Sequence, residues 1–291
     1  MPANALPQGV LSVHALPSDH HDGPWDHILV PPGTKERLLS TALLTMRHGQ
    51  RLATLPGLPH GLVVLAGPPG TGKTTLARGL AQATARALAP HGATTYAEVD
   101  PHAFPSEMLG ESQRAVTRLM TDTVPELAAR RPHTMVLVDE VESLAVRRSA
   151  ASFETNPVDV HRATDALLAG IDHVAARHPG VLFVTTTNFP EAIDEAFLSR
   201  ADLVLHVPLP DEETVGAILR ASLCELAGVW PGLRPLAEDG ALHGKLAARC
   251  AGWNGRRVRK LVLAALAQRL DVALDPALLT ANDLLAAVEA A

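Results

Sequence analysis

Hydrophobic positions along this chain follow two rhythms. Short, nearly unbroken apolar runs at Leu62–Ala66, Thr95–Val99, Thr134–Val138, Val181–Thr187 and Leu203–Val207 fit buried strands. Between them apolar residues recur at helical spacing: Leu38, Leu39, Ala42, Leu43 and Met46 in one segment, an Ala- and Leu-rich stretch from Lys73 to Leu88 in the next. Val116, Leu119 and Met120 mark a third helix and Val158–Ile171 a fourth. Pro90-His91-Gly92, Arg131-Pro132 and Pro179-Gly180 punctuate the series, and the polar stretches DPHAFPSEMLGES and VRRSAASFETNP read as loops, the latter mobile. Strands alternating with helices predict an α/β fold, a parallel sheet with helices on both faces. Beyond Pro208-Leu209-Pro210 the strand pattern stops, and helices are expected near 211–227, 236–250, 255–271 and 276–290, a small all-α domain. Residues 1–24 carry Pro, His, Asp and Gly without periodicity and read as a flexible arm. The expected organisation is an arm over 1–24, an α/β domain over 25–207 and a helical domain over 208–291.

Composition narrows the classes. A chain of 291 residues, 47% hydrophobic and 19% charged, can bury one large core and a smaller one. No apolar run reaches the length of a membrane span, and the N-terminus lacks the basic and apolar regions of a signal peptide, so a cytoplasmic protein is expected. A net charge of −6 with 3% aromatic residues argues against a nucleic-acid partner. Cys224 and Cys250 stand far apart and read as reduced core residues; of 14 histidines only His20-His21 are adjacent, with no metal-ligand spacing.

One stretch carries chemistry. Gly67-Pro68-Pro69-Gly70-Thr71-Gly72-Lys73-Thr74 fits the phosphate-loop (Walker A) pattern G-x-x-x-x-G-K-[ST], with a strand before it and a helix after it. That context sets it apart from a Gly/Pro loop with a chance lysine. Its backbone N–H groups would form an anion nest at a helix N-terminus; Lys73 would reach the β- and γ-phosphates of ATP, and Thr74 would place its hydroxyl on Mg²⁺. The apolar strand ending in Asp139-Glu140 supplies the second half (Walker B) of such a site: Asp139 to hold Mg²⁺ through water, Glu140 to take a proton from the attacking water. Asn188, at the polar tip of another strand, can hydrogen-bond that water or the γ-phosphate, against the plainer reading of an Asn ending a strand. Ile28 and Val30 read equally as lining for an adenine pocket or as core. Taken alone, Arg200 and Arg256 read as surface salt bridges, worth about 0–1 kcal/mol each.

Together GPPGTGKT, MVLVDE, TTTN, IDEAFLSRAD and a helical segment carrying GWNGRRVRKL resemble an AAA+ ATPase, from about Trp25 to the end. Within that family DEVESLA, FLSRAD and G-x-x-G-R-x-x-R-K-L are similar to the pachytene-checkpoint remodellers, which unfold part of HORMA-domain proteins. The resemblance implies that the helical domain is a lid and that the chain works as an assembled, hexameric ring. Arg200 would be the arginine finger of the neighbouring subunit's site and Arg256 the sensor-2 arginine of its own. The loop Ser106–Ser112 would be a pore loop, with Met108 and Leu109 where eukaryotic members carry an aromatic pair. Those members also carry an N-terminal adaptor-binding domain for which this chain has only a short arm. In this it resembles compact bacterial versions that accompany HORMA proteins and a cyclic-nucleotide-making enzyme in anti-phage defence. Two other functions compete: a nucleotide-switched oligomeric scaffold, against which Glu140 argues, and a DNA-directed clamp-loader-like ATPase, against which the acidic balance argues.

Overall fold

A computed structural model describes residues 6–19, 25–26, 28–55, 59–104, 111–145 and 157–290, with backbone alone at 157–160. The chain divides into two compact units: Met1–Asp26, Pro32–Gly67 and Lys73–His206 form the first, and His27–Pro31, Pro68–Gly72 and Val207–Ala291 the second.

The first unit is a six-stranded sheet with helices. In chain order it comprises β1 (Val10–Leu16), α1 (Thr34–Leu52), β2 (Leu62–Ala66), α2 (Lys73–Leu88), β3 (Thr94–Val99), α3 (Glu111–Arg118), α4 (Val124–Arg130), β4 (His133–Val138), α5 (Pro157–Arg177), β5 (Val181–Thr187), α6 (Glu195–Leu198) and β6 (Leu203–His206). The strand order is β1-β3-β4-β5-β2-β6; all neighbours are parallel except β1, which runs antiparallel to β3. Alternation along the strands explains the two layers of helices. Leu62, Val64, Val136, Val138, Val181 and Phe183 join one apolar cluster with residues of α3 and α5. Val63, Leu65, Met135, Leu137, Leu182 and Val184 are buried on the opposite face, where α1 and α2 pack.

Two expectations for the first unit differ from its structure. Val10–Leu16, expected within a flexible arm, is an edge strand in register with β3 from Val10↔Val99 to Leu16↔Thr94. Its pairing is with residues far along the chain, so nothing local announces it. Gly9, at φ 75°, starts it by passing so close to Phe104 that a Cβ would lie 2.2 Å from the ring. The single helix expected around Val116–Met120 is α3 and α4 joined by a π-helical turn, Leu119–Thr123. Pro125 has no N–H for the helical ladder, and Gly170 on α5 admits Met120, whose Cβ lies 2.5 Å from where a Cβ on Gly170 would stand.

Asp202 pins the far edge: its carboxylate accepts from His60 N (3.0 Å) and Leu62 N (3.1 Å), and its own N–H donates to Leu62 O (2.8 Å). β6 is thereby registered against the strand that feeds the phosphate loop.

The second unit holds α7 (Glu212–Val229), α8 (Arg234–Glu238), α9 (Gly240–Arg249), α10 (Gly255–Leu266), α11 (Leu270–Leu274) and α12 (Ala281–Glu289) around Leu219, Leu223, Leu246, Val258, Leu261 and Leu284. Capping residues set the starts: Asp211, Asp239, Asn254 and Thr280 each accept a first-turn N–H, Thr280 in a reciprocal box with Asp283. The expected helix over 255–271 stops at Leu266, and the next long one starts at Ala281.

Candidate nucleotide site

β2 delivers the chain to Gly67, and α2 begins at Lys73. Gly70 (φ 78°) and Gly72 (φ 93°) occupy the left-handed region, which is why the turn uses glycine at these places. Lys73 is 5% exposed, and its ammonium donates to Gly67 O (2.7 Å) and to Asn188 Oδ1 (2.8 Å). Asn188 follows β5, the neighbour of β2, so adjacent strand ends bring the two side chains together.

A second group forms where β4 ends. Thr74 Oγ1 donates to Asp139 Oδ1 (2.8 Å), and so does Thr186 Oγ1 (2.5 Å). Thr186 in turn accepts the backbone N–H of Glu140 (2.9 Å). Glu140 has φ 57°, the one non-glycine residue in the left-handed region among those described, and it opens a tight turn over Val141–Ser143. Its carboxylate takes Asn188 Nδ2 on Oε1 (3.1 Å), while His102 Nε2 lies 3.1 Å from Oε2. Glu142, on the same turn, accepts the backbone N–H of Asn188 (3.0 Å).

Arg78, one helical turn beyond Thr74, grips Glu98 through two bonds of 3.0 and 2.9 Å, and Tyr96 donates to the same carboxylate (2.8 Å). The Glu98 hydrogen bond pushes the Arg78 guanidinium up from its ordinary value, with the charges of Glu98 and Asp139 adding to it; burial pushes the Tyr96 phenol far up.

The donor set suits a hard cation bound with phosphate: a hydroxyl and a carboxylate in contact, oxygen donors only. Among the described residues no group of three or more His, Cys, Asp or Glu could hold a metal alone, so substrate oxygens and water would complete the shell.

The first unit thus brings together Gly67, Lys73, Thr74, Asp139, Glu140 and Asn188. Pro68, Pro69, Gly70, Thr71 and Gly72 group with the second unit, where Arg256 N donates to Gly70 O (3.1 Å) and the Asn254 amide lies 2.6 Å from where a Gly70 Cβ would be. The Arg256 side chain is exposed. Arg200 is elsewhere: Nε and Nη2 donate to Asp172 at 2.7 and 2.8 Å, and Nη1 donates to Ala196 O at 2.9 Å. The hydrogen bonds from the Arg200 guanidinium to Asp172 hold that carboxyl below its ordinary value. Met108 and Leu109 lie outside the described residues, as does the loop expected over 146–157 except for Pro157, which begins α5. Thr186, Glu142 and His102 were not foreseen. Thr186 carried a signal, a run of hydroxyls in a buried strand just before Asn188; Glu142 and His102 did not.

An ammonium at a glycine turn, a hydroxyl–carboxylate pair and a second carboxylate beyond it place the chain in the class of P-loop nucleoside triphosphatases. Residues 63–209 match the model of the ATPase family associated with various cellular activities (AAA). The chain is 43% identical to CD-NTase-associated protein 6 of Pseudomonas aeruginosa, over 98% of this chain and 93% of that protein. Identity to the pachytene checkpoint protein 2 homolog of Danio rerio is 34%, over 72% of this chain and 50% of that one. The chain therefore spans about half the length of that eukaryotic relative. Among solved structures it superposes on C. elegans PCH-2 with a TM-score of 0.76 at 26% identity, covering 97% of this chain and 76% of that one. A chain of the E. coli MS115-1 HORMA:CdnC:Trip13 complex shares the fold, with a TM-score of 0.74 at 20% identity over 97% and 95%. The chain belongs to the AAA ATPases, is homologous to CD-NTase-associated protein 6 and to pachytene checkpoint protein 2, and is an ATPase. Among the described residues no helix is long and apolar enough to cross a membrane.

Proposed function

We propose that this chain is an ATP-driven remodeller that partially unfolds or disassembles HORMA-domain proteins in the cytoplasm, as part of a bacterial anti-phage signalling system. The observation that carries this reading is the near end-to-end identity of 43% to CD-NTase-associated protein 6. The fold shared with a chain of a HORMA:CdnC:Trip13 complex supports it.

ATP would be held by the phosphate-loop amides and by Lys73, with Arg256 as the lid's contact. Thr74, and Asp139 through water, would hold Mg²⁺, which when bound neutralises charge on the phosphate oxygens. Glu140 accepts the proton of the attacking water, and Asn188 orients that water from its place between Lys73 and Glu140. A phosphoryl-transfer transition state spreads negative charge, and a guanidinium from a neighbour can be worth about 10³–10⁵ in rate. Arg200 is the residue assigned that role, so turnover requires assembly, in our reading as a hexameric ring. Met108 and Leu109 would grip the substrate in the pore with an aliphatic surface.

The test uses the purified chain, a HORMA-domain protein and the CD-NTase bound to it. Hydrolysable ATP should release the HORMA protein from its complex, and Glu140→Gln should abolish release. A HORMA complex that stays intact under active ATP turnover overturns the remodelling proposal.

A further inference from the structure

The turn after β4 presents two carboxylates to one residue. Val141 and Leu144 are buried in the main apolar cluster and anchor this turn. Ser143 N and Oγ both donate to Glu140 O at 3.2 Å, and Ala145 N donates to Val141 O at 2.9 Å. Glu140 and Glu142 therefore stand on a rigid support. Glu140 Oε1 accepts from the side-chain amide of Asn188 at 3.1 Å, and Glu142 Oε1 accepts from its backbone amide at 3.0 Å.

The backbone of Asn188 lies one residue past the sheet. The registers of β5 with β2 and β4 end at Thr187 and Thr185, so no ladder fixes Asn188. The side chain must nevertheless keep Oδ1 on Lys73 while Nδ2 reaches Glu140, a span that a small rotation of the peptide would break. Glu142 is no solvated surface acid: its second oxygen is enclosed, and its one bond to a described partner is to this amide.

We infer that Glu142 is a positioning residue for hydrolysis, fixing the peptide of Asn188 so that the carboxamide bridges Lys73 and Glu140. This rests on the reading of Asn188 as the group that orients the attacking water. Glu142 touches neither reactant and acts through the strand tip. Misplacing an orienting group by about 1 Å can cost on the order of 10²-fold in rate without changing what binds.

The experiment measures kcat, KM, nucleotide affinity and thermal midpoint for Glu142→Ala, Glu142→Asp, Glu142→Gln, Asn188→Ala and the Glu142→Ala/Asn188→Ala pair. Glu142→Ala should lower kcat by about 10- to 100-fold with nucleotide affinity held within about threefold. Glu142→Asp, which keeps the charge but shortens the reach, should lower kcat by about tenfold even if the alanine variant folds poorly. Glu142→Gln keeps the acceptor oxygen and should stay within about threefold of the parent. The double variant should be no slower than Asn188→Ala, because both act through one group. Full activity of Glu142→Ala and Glu142→Asp beside an impaired Asn188→Ala overturns the role of Glu142 alone. Full activity of Asn188→Ala overturns the reading of Asn188 and this inference with it. A loss shared equally by kcat, nucleotide affinity and thermal midpoint overturns it in favour of a purely structural role.

Discussion

Replacing Thr186 with valine removes one hydroxyl and almost no volume, yet that hydroxyl serves both acids of the site. It donates to Asp139 Oδ1 and accepts from Glu140 N at a position only 1% exposed. The bond to Asp139 is charge-assisted and worth about 1.5–3 kcal/mol, and the part-buried Glu140 N–H left without its partner costs about 1 kcal/mol, the low end of the range for such groups. The two share one group and do not add fully, so the expected loss of stability is about 2–4 kcal/mol. Turnover should suffer separately. Glu140 sits at φ 57°, a conformation costing about 1–3 kcal/mol that persists only where its surroundings hold it. Released from Thr186, the residue can relax, and kcat should fall by about 10- to 100-fold. Urea unfolding followed by circular dichroism gives the first quantity and steady-state phosphate release the second. Thr186→Ser, which keeps the hydroxyl, is the control and should retain most of the turnover. A valine variant with an unchanged urea midpoint and a rate within twofold of the parent would refute the coupling of the two acids through Thr186.

Glu140→Gln should bind ATP with parental affinity by calorimetry and release no phosphate, because the acceptor geometry survives while the base does not; half-parental turnover removes Glu140 from the mechanism. Arg200→Ala and Lys73→Ala should each be inactive, and mixing them under subunit exchange should restore part of the rate; inactive mixed rings, verified by native mass measurement, count against action in trans. The Asp172 carboxyl, depressed by Arg200, contributes stability that is present above its unfolded value near 3.8 and lost as pH falls through its folded value. Its titration midpoint by NMR should therefore lie below 3.8 and rise toward the ordinary range in Arg200→Ala. His133 is buried neutral, its value lowered by desolvation, so its contribution is present above about 6.5 and fades below it; the parental thermal midpoint should drop between about pH 7 and pH 5.5 more than that of His133→Gln, and parallel curves exclude the effect.

The parts of this protein legible in advance are those whose signal is local. Unbroken apolar runs marked β2, β4 and β5, because a strand buried on both faces needs nothing polar. The turn between β2 and α2 announced itself through the glycines that its left-handed positions require. β1 was hidden because an edge strand is specified by its partner, and VLSVHAL alternates too weakly to stand out among prolines and histidines. Glu142 and His102 were invisible for a related reason, and Thr186 showed only as one of a run of hydroxyls before Asn188. Each acts by reaching a residue on a different element, and which acid or hydroxyl does so is decided by strand register, where Val138 beside Thr185 puts Asp139 next to Thr186. Arg200 shows the limit from the other side: its motif was clear, while its bidentate hold on Asp172 follows from how α5 passes the end of α6.

The antiparallel strand at the sheet's edge bears on how this protein can be handled. Val10–Leu16 is the selvage of the fabric, the hemmed margin that stops it from fraying into its neighbours. Trimming it away in the belief that it is a loose tail would strip the covering strand from β3 and present a row of unpaired amides and carbonyls over Thr94–Val99 to any passing chain. Tags and fusions are better joined ahead of Leu6 than spliced in its place, and an N-terminally shortened preparation that precipitates has lost a boundary and not a handle.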